Sequence, residues 1–152
     1  MKKVIGLLVI FLLSTAIVSA EVVRKKTSNP DGTTAYVFYS AGKEIAKQTV
    51  DAAGNIIKTE GIIPDGVVKE YYKSGKLKGE GAVKDGKPEG IAKEYFESGK
   101  LKVEWNIKNG TLDGTTKRYY ENGSLRCIDT YKNGQKIDRK SYDEQGNLQR
   151  EK

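Results

Sequence analysis

The sequence predicts an all-β chain, an elongated and mostly antiparallel meander of β-hairpins. Three observations carry this expectation. One motif recurs every 24 residues, and glycine-containing turn signals punctuate it about every 11 to 13 residues. The segments between turns are short and rich in Val, Ile, Thr and Tyr, without the i, i+3, i+4 apolar spacing of a helix.

The repeat is explicit from Gly66 onward. Gly66-Val-Val-Lys-Glu-Tyr-Tyr-Lys-Ser-Gly-Lys-Leu-Lys returns from Gly90 as Gly-Ile-Ala-Lys-Glu-Tyr-Phe-Glu-Ser-Gly-Lys-Leu-Lys. It returns again from Gly114 as Gly-Thr-Thr-Lys-Arg-Tyr-Tyr-Glu-Asn-Gly-Ser-Leu-Arg. The shared period therefore links Tyr71, Tyr95 and Tyr119, then Gly75, Gly99 and Gly123, then Leu77, Leu101 and Leu125. A fourth copy, Tyr142 through Gly146 to Leu148, arrives one residue early, as a terminal capping copy does. A second turn lies between copies, at Asp85-Gly86 and Asn109-Gly110, where glycine accepts positive φ at no steric cost. The strand pattern is clearest where Leu101, Val103, Trp105 and Ile107 alternate with polar residues, which is a half-buried strand. A three-residue loop with a glycine bulge places Tyr71 opposite Leu77, and the later copies likewise.

The chain divides into residues 1–20, a signal peptide; 21–34, a loosely ordered lead-in; 35–65, divergent N-terminal hairpins; and 66–152, the regular repeats. The first segment has a cationic start at Lys2 and Lys3, an apolar run from Val4 to Leu13 and a small-residue exit at Val18 and Ala20. Cleavage after Ala20 is expected, with export to the periplasm, the cell surface or the medium. Cleavage removes two lysines and no acids, which leaves 25 basic and 20 acidic side chains and a net charge of +5. That mild excess argues mainly for solubility.

The motif Lys-x-Tyr-Tyr/Phe-x-Ser/Asn-Gly-x-Leu, followed by a glycine-containing turn, resembles the bacterial variant of the MORN repeat. It is also similar to the YwqK-type toxin–antitoxin system antitoxins, which are built from such repeats. The resemblance covers Gly66 to Leu148 well and Tyr36 to Ile57 weakly. It implies successive hairpins in an elongated antiparallel sheet, and roles in protein contact, membrane association or neutralisation of a toxin.

Catalysis is disfavoured. The chain has no histidine, which removes His-dependent nucleophile arrangements and His-ligated zinc. The acids Glu70 and Glu94 give way to Arg118 in the third copy, and Glu80 and Glu104 to Ile128, so they read as solvated strand faces. No cofactor, metal or small-molecule substrate is implied. Cys127, the single cysteine, falls one period after Val103 and is read as a small buried hydrophobe; the alternative is a thiol that pairs with a second chain.

Two columns remain as a candidate binding surface. Tyr72, Phe96 and Tyr120 point away from Tyr71, Tyr95 and Tyr119, on a face that a single sheet leaves open. Beside them, Lys69, Lys93 and Lys117 share one offset. A protein partner is the leading expectation, as for an exported interaction module at a protein or envelope surface. The alternatives are an antitoxin-like component and a tether to anionic membrane; nucleic acid is disfavoured because Glu70, Glu94, Glu97 and Glu121 interrupt the stripe.

Overall fold

The computed structural model describes residues 21–149; the expected leader, residues 1–20, lies outside the described residues, as do residues 150–152. The strands are β1 (Val22–Ser28), β2 (Thr34–Ser40), β3 (Lys43–Val50), β4 (Ile56–Gly61), β5 (Gly66–Tyr71) and β6 (Leu77–Lys84). They continue as β7 (Lys87–Tyr95), β8 (Leu101–Lys108), β9 (Thr111–Tyr119), β10 (Leu125–Lys132), β11 (Gln135–Tyr142) and β12 (Leu148–Gln149). All twelve form one sheet, in the order β12-β11-β10-β9-β8-β7-β6-β5-β1-β2-β3-β4.

Two turn types alternate. In the first, the N–H of the opening residue donates to the carbonyl four residues on, and a glycine N–H donates back to the opening carbonyl. Among the described residues this pattern opens at Asn29, Asp51, Tyr72, Phe96, Tyr120 and Asp143. The closing glycines, from Gly32 to Gly146, all have positive φ, as a glycine bulge requires. Tyr71 pairs with Leu77, Tyr95 with Leu101 and Tyr119 with Leu125, the register expected from the sequence. The second type is the two-residue turn at Ala41-Gly42, Asp85-Gly86, Asn109-Gly110 and Asn133-Gly134, with positive φ at both positions. This mirror-image turn matches the right-handed twist of the flanking strands.

Each of the last three two-residue turns is held by the hairpin before it. The carboxylates of Asp65, Glu89 and Asp113 accept from the backbone N–H of Asp85, Asn109 and Asn133, at 2.8, 2.6 and 3.2 Å. The N–H groups of Gly110 and Gly134 donate to the carbonyls of Pro88 and Leu112. Neighbouring repeats are therefore joined at their turns as well as along the strand ladder.

The N-terminal part departs from a simple meander. Residues 21–34, expected to be a loosely ordered lead-in, instead supply β1, which pairs with β2 and runs parallel to β5 through Val22–Val68 and Val23–Lys69. The physical reason is that Val22 is buried and Arg24 pairs with Glu70 of β5. With β1, β2 and β3 lying between β4 and β5, the link from Gly61 to Gly66 must cross the sheet. In a flat sheet its ends would stand about 19 Å apart across the strands and about 13 Å along them. Five residue steps reach at most about 18 Å, so the N-terminal strands curl over. Ile63 then plugs the inside of the curl, packed with Val22, Phe38, Ala46 and Val68, while its neighbour Ile62 is 81% exposed. Gln48 of β3 reaches across to donate to the Gly86 carbonyl at 3.1 Å.

Candidate interaction surfaces

Strand alternation sorts the side chains into two faces. The inner face carries Val68 and Glu70 of β5, Val103 of β8, and Thr116, Cys127 and Asp129 of β9 and β10, all buried. Glu70 accepts from Arg24 at 3.0 Å and from Lys78 at 2.5 Å, and Glu94 accepts from Lys102 at 2.8 Å. Burial pushes the Glu70 carboxyl up, but the Lys78 hydrogen bond and the Arg24 charge outweigh it and hold the group below the ordinary glutamate value.

Tyr72, Phe96 and Tyr120 lie on this inner face and are half-buried. The Tyr72 hydroxyl donates to the Tyr95 carbonyl at 2.6 Å and the Tyr120 hydroxyl to the Tyr142 carbonyl at 2.9 Å. Each tyrosine thus spans to the next hairpin. Phe96 makes no such bond for want of a hydroxyl; Lys102 stands over its ring, and Arg126 over that of Tyr120. The aromatic column has a structural task between repeats.

Lys69, Lys93 and Lys117 lie on the outer face, so the two columns do not form one surface. The lysines are also not a row of cations. Pairing across the strands runs Lys69–Glu80–Lys93–Glu104–Lys117, an alternation of charge at every strand, and then Ile128 and Lys140. Lys69 additionally pairs with Glu21 at 2.8 Å, which raises the Lys69 pKa through the Glu21 hydrogen bond. The hydroxyls of Tyr71 and Tyr95 donate to Glu21 and Glu80, at 2.8 and 2.9 Å. Beside this row the outer face exposes Val67 and Ile91, one period apart and both more than half exposed. The glutamates of the row were readable in advance: once Tyr71 faces Leu77 across a one-residue bulge, counting back puts Lys69 opposite Glu80.

The inner face changes character in the third repeat. Where the first two repeats place Glu70 with Lys78 and Glu94 with Lys102, the third places Arg118 with Arg126. Arg118 turns instead to Asp129, which is 1% exposed and also receives Arg139 at 2.7 and 3.1 Å. Burial raises the Asp129 pKa, but the hydrogen bonds from Arg139 and Arg118 more than offset it, leaving the carboxyl below the ordinary aspartate value. Cys127 is buried beside this cluster, with its Sγ 3.9 Å from Arg118 and 3.8 Å from Arg139.

Three segments of the chain are similar to a known repeat family. Residues 64–85, 88–109 and 112–133 each match the MORN repeat variant. The repeat is a binding module in general rather than an enzyme. MORN repeats are known to bind proteins or membrane phospholipids. No curated protein matches the chain. Among solved structures, one titled "Crystal Structure of TarM" is similar at 12% sequence identity with a TM-score of 0.36, covering 75% of this chain and 20% of that one. At that score the likeness carries no argument.

Proposed function

We propose that this chain is an exported, non-enzymatic interaction module whose MORN-variant repeats bind a protein partner through the outer face. The observation that supports this reading is the alternating row Lys69–Glu80–Lys93–Glu104–Lys117 beside the exposed Val67 and Ile91. Opposite charges at about 4.8 Å spacing, next to uncovered apolar groups, suit a protein segment with its own mixed charges. They suit an anionic lipid surface poorly, because Glu80 and Glu104 cancel the attraction each lysine would add. The inner face is less available, since its aromatics already tie one repeat to the next. The leader pattern of residues 1–20 supports export, with Glu21 as the first residue of the mature chain.

The test is affinity capture from the native envelope fraction with the protein and with a Val67→Ser/Ile91→Ser variant. Both positions are exposed, so the fold tolerates the change. The expected result is one partner retained at low and high salt and lost by the variant. Capture that is indifferent to the variant overturns the outer-face reading. Salt-sensitive binding to anionic vesicles in place of a protein would favour the tether. N-terminal sequencing of the exported form checks the Glu21 terminus.

A further inference from the structure

The third repeat holds a pocket of about 490 Å³ on the inner face, remote from the outer row, and its lining includes Arg118, Arg126, Arg139, Tyr120, Ser141 and Cys127. Three arginines line it, and among the described residues Asp129 behind them is the one carboxylate paired with any of the three, receiving Arg118 and Arg139. The equivalent places in the first two repeats each hold a glutamate that pairs with its cations, Glu70 with Lys78 and Arg24, and Glu94 with Lys102. The third repeat has exchanged the glutamate for Arg118 and kept a cation at Arg126, so among the described residues the pocket carries an excess of two positive charges, three arginines against Asp129. Arg126 is exposed, and its neighbour is the Tyr120 ring, 5.7 Å away.

Asp129 does not exhaust the donors. A guanidinium offers five N–H groups in a planar fork. Asp129 takes two hydrogen bonds from Arg139 and one from Arg118. Arg118 and Arg139 also each direct one N–H at the Cys127 Sγ, and the N–H groups left over, with Arg126 and the Ser141 hydroxyl, are available to a ligand rich in acceptor oxygens.

We propose that this pocket binds a phosphate-type oxyanion, the terminal phosphate of a small molecule or of a lipid headgroup. A phosphate monoester carries close to two negative charges at neutral pH and three strong acceptor oxygens. It therefore matches both the charge excess and the number of guanidiniums. A second carboxylate would neutralise only half of the excess. Tyr120 lines the same pocket, its hydroxyl held by the Tyr142 carbonyl, and offers an apolar ring to an organic group on the phosphate.

The test is calorimetric titration of the protein with inorganic phosphate and with phenyl phosphate, at fixed ionic strength in a phosphate-free buffer. Saturable one-site binding is expected. Arg126→Gln should weaken it about tenfold, and Arg126→Glu should abolish it by setting a carboxylate against Arg118, as Glu70 stands against Lys78. Asp129→Asn should act in the opposite direction, tightening phosphate binding several-fold by releasing both arginines. Should that variant not fold, the two Arg126 variants decide the matter alone, since Arg126 is exposed. Vesicles containing phosphatidic acid separate the sources. Vesicle binding competed by free phosphate and lost in Arg126→Glu assigns the site to a headgroup. Vesicle binding that neither competition nor the variant alters reflects diffuse charge and overturns the proposal. So does the absence of phosphate binding, or binding that both Arg126 variants leave unchanged.

Discussion

The tyrosine ties between repeats offer a symmetric pair of substitutions. Tyr72 and Tyr120 each donate a hydroxyl hydrogen bond to a carbonyl of the next hairpin, whereas Phe96, at the equivalent position between them, donates none. Tyr72→Phe removes one such bond, and Phe96→Tyr is expected to create one to the Tyr119 carbonyl, the counterpart of Tyr95 and Tyr142. A net intramolecular hydrogen bond contributes about 0.5–1.5 kcal/mol. Removal sits toward the upper part of that range, because it leaves the half-buried Tyr95 carbonyl with one acceptor site unused. For a domain of this size 1 kcal/mol moves Tm by about 3–5 °C. Tyr72→Phe should therefore lower Tm by about 3–6 °C, Phe96→Tyr should raise it by about 2–4 °C, and the double variant should return close to the parent. Thermal unfolding followed by circular dichroism, with urea midpoints as a second measure, reads all three. A Phe96→Tyr variant that is neutral or destabilised would refute the assignment of the aromatic column to repeat coupling. The column would then be free for a partner after all.

Two further outcomes follow from the inner face and the curl. Glu70 and Asp129 have folded pKa values below the ordinary carboxylate range, so the folded chain binds fewer protons than the unfolded one. Their stabilisation is complete above about pH 5 and is lost as the pH falls below about 4 and through the folded values; urea midpoints measured between pH 6 and pH 2 should fall steeply over that window, and less so in Asp129→Asn. Gly61→Ala should destabilise the N-terminal strands by about 2 kcal/mol or more, because Gly61 has a φ of 79° and a Cβ there would collide with the Ile45 carbonyl. Hydrogen exchange should show the loss concentrated in β1–β4, and uniform loss across all repeats would contradict it.

Much of the fold was legible because it is local. The pairing of Tyr71 with Leu77 follows from a turn whose glycine fixes the register, and Asp85-Gly86 and Asn109-Gly110 name their own turn type. The fate of residues 21–34 was not legible. Nothing in Val22-Val23-Arg24 states that it will enter the sheet between β2 and β5, because its partners Val68 and Glu70 lie 46 residues away along the chain. The site was divided in the same manner. The exchange of glutamate for Arg118 is visible in the repeat alignment, but the partners that gather it into a pocket, Asp129 and Arg139, come from the next two strands.

What the sequence determined by itself is the all-β repeat, its 24-residue period and the cross-strand pairs beside each glycine loop. Those depend on backbone conformations that a few neighbouring residues dictate. What only the tertiary structure decided is the curl closed by Ile63, the placing of aromatics and lysines on opposite faces, and the meeting of Arg118 and Arg139 on one buried aspartate beside Arg126. Those depend on which distant strands lie side by side, and on the charge and volume that each leaves for the other to satisfy.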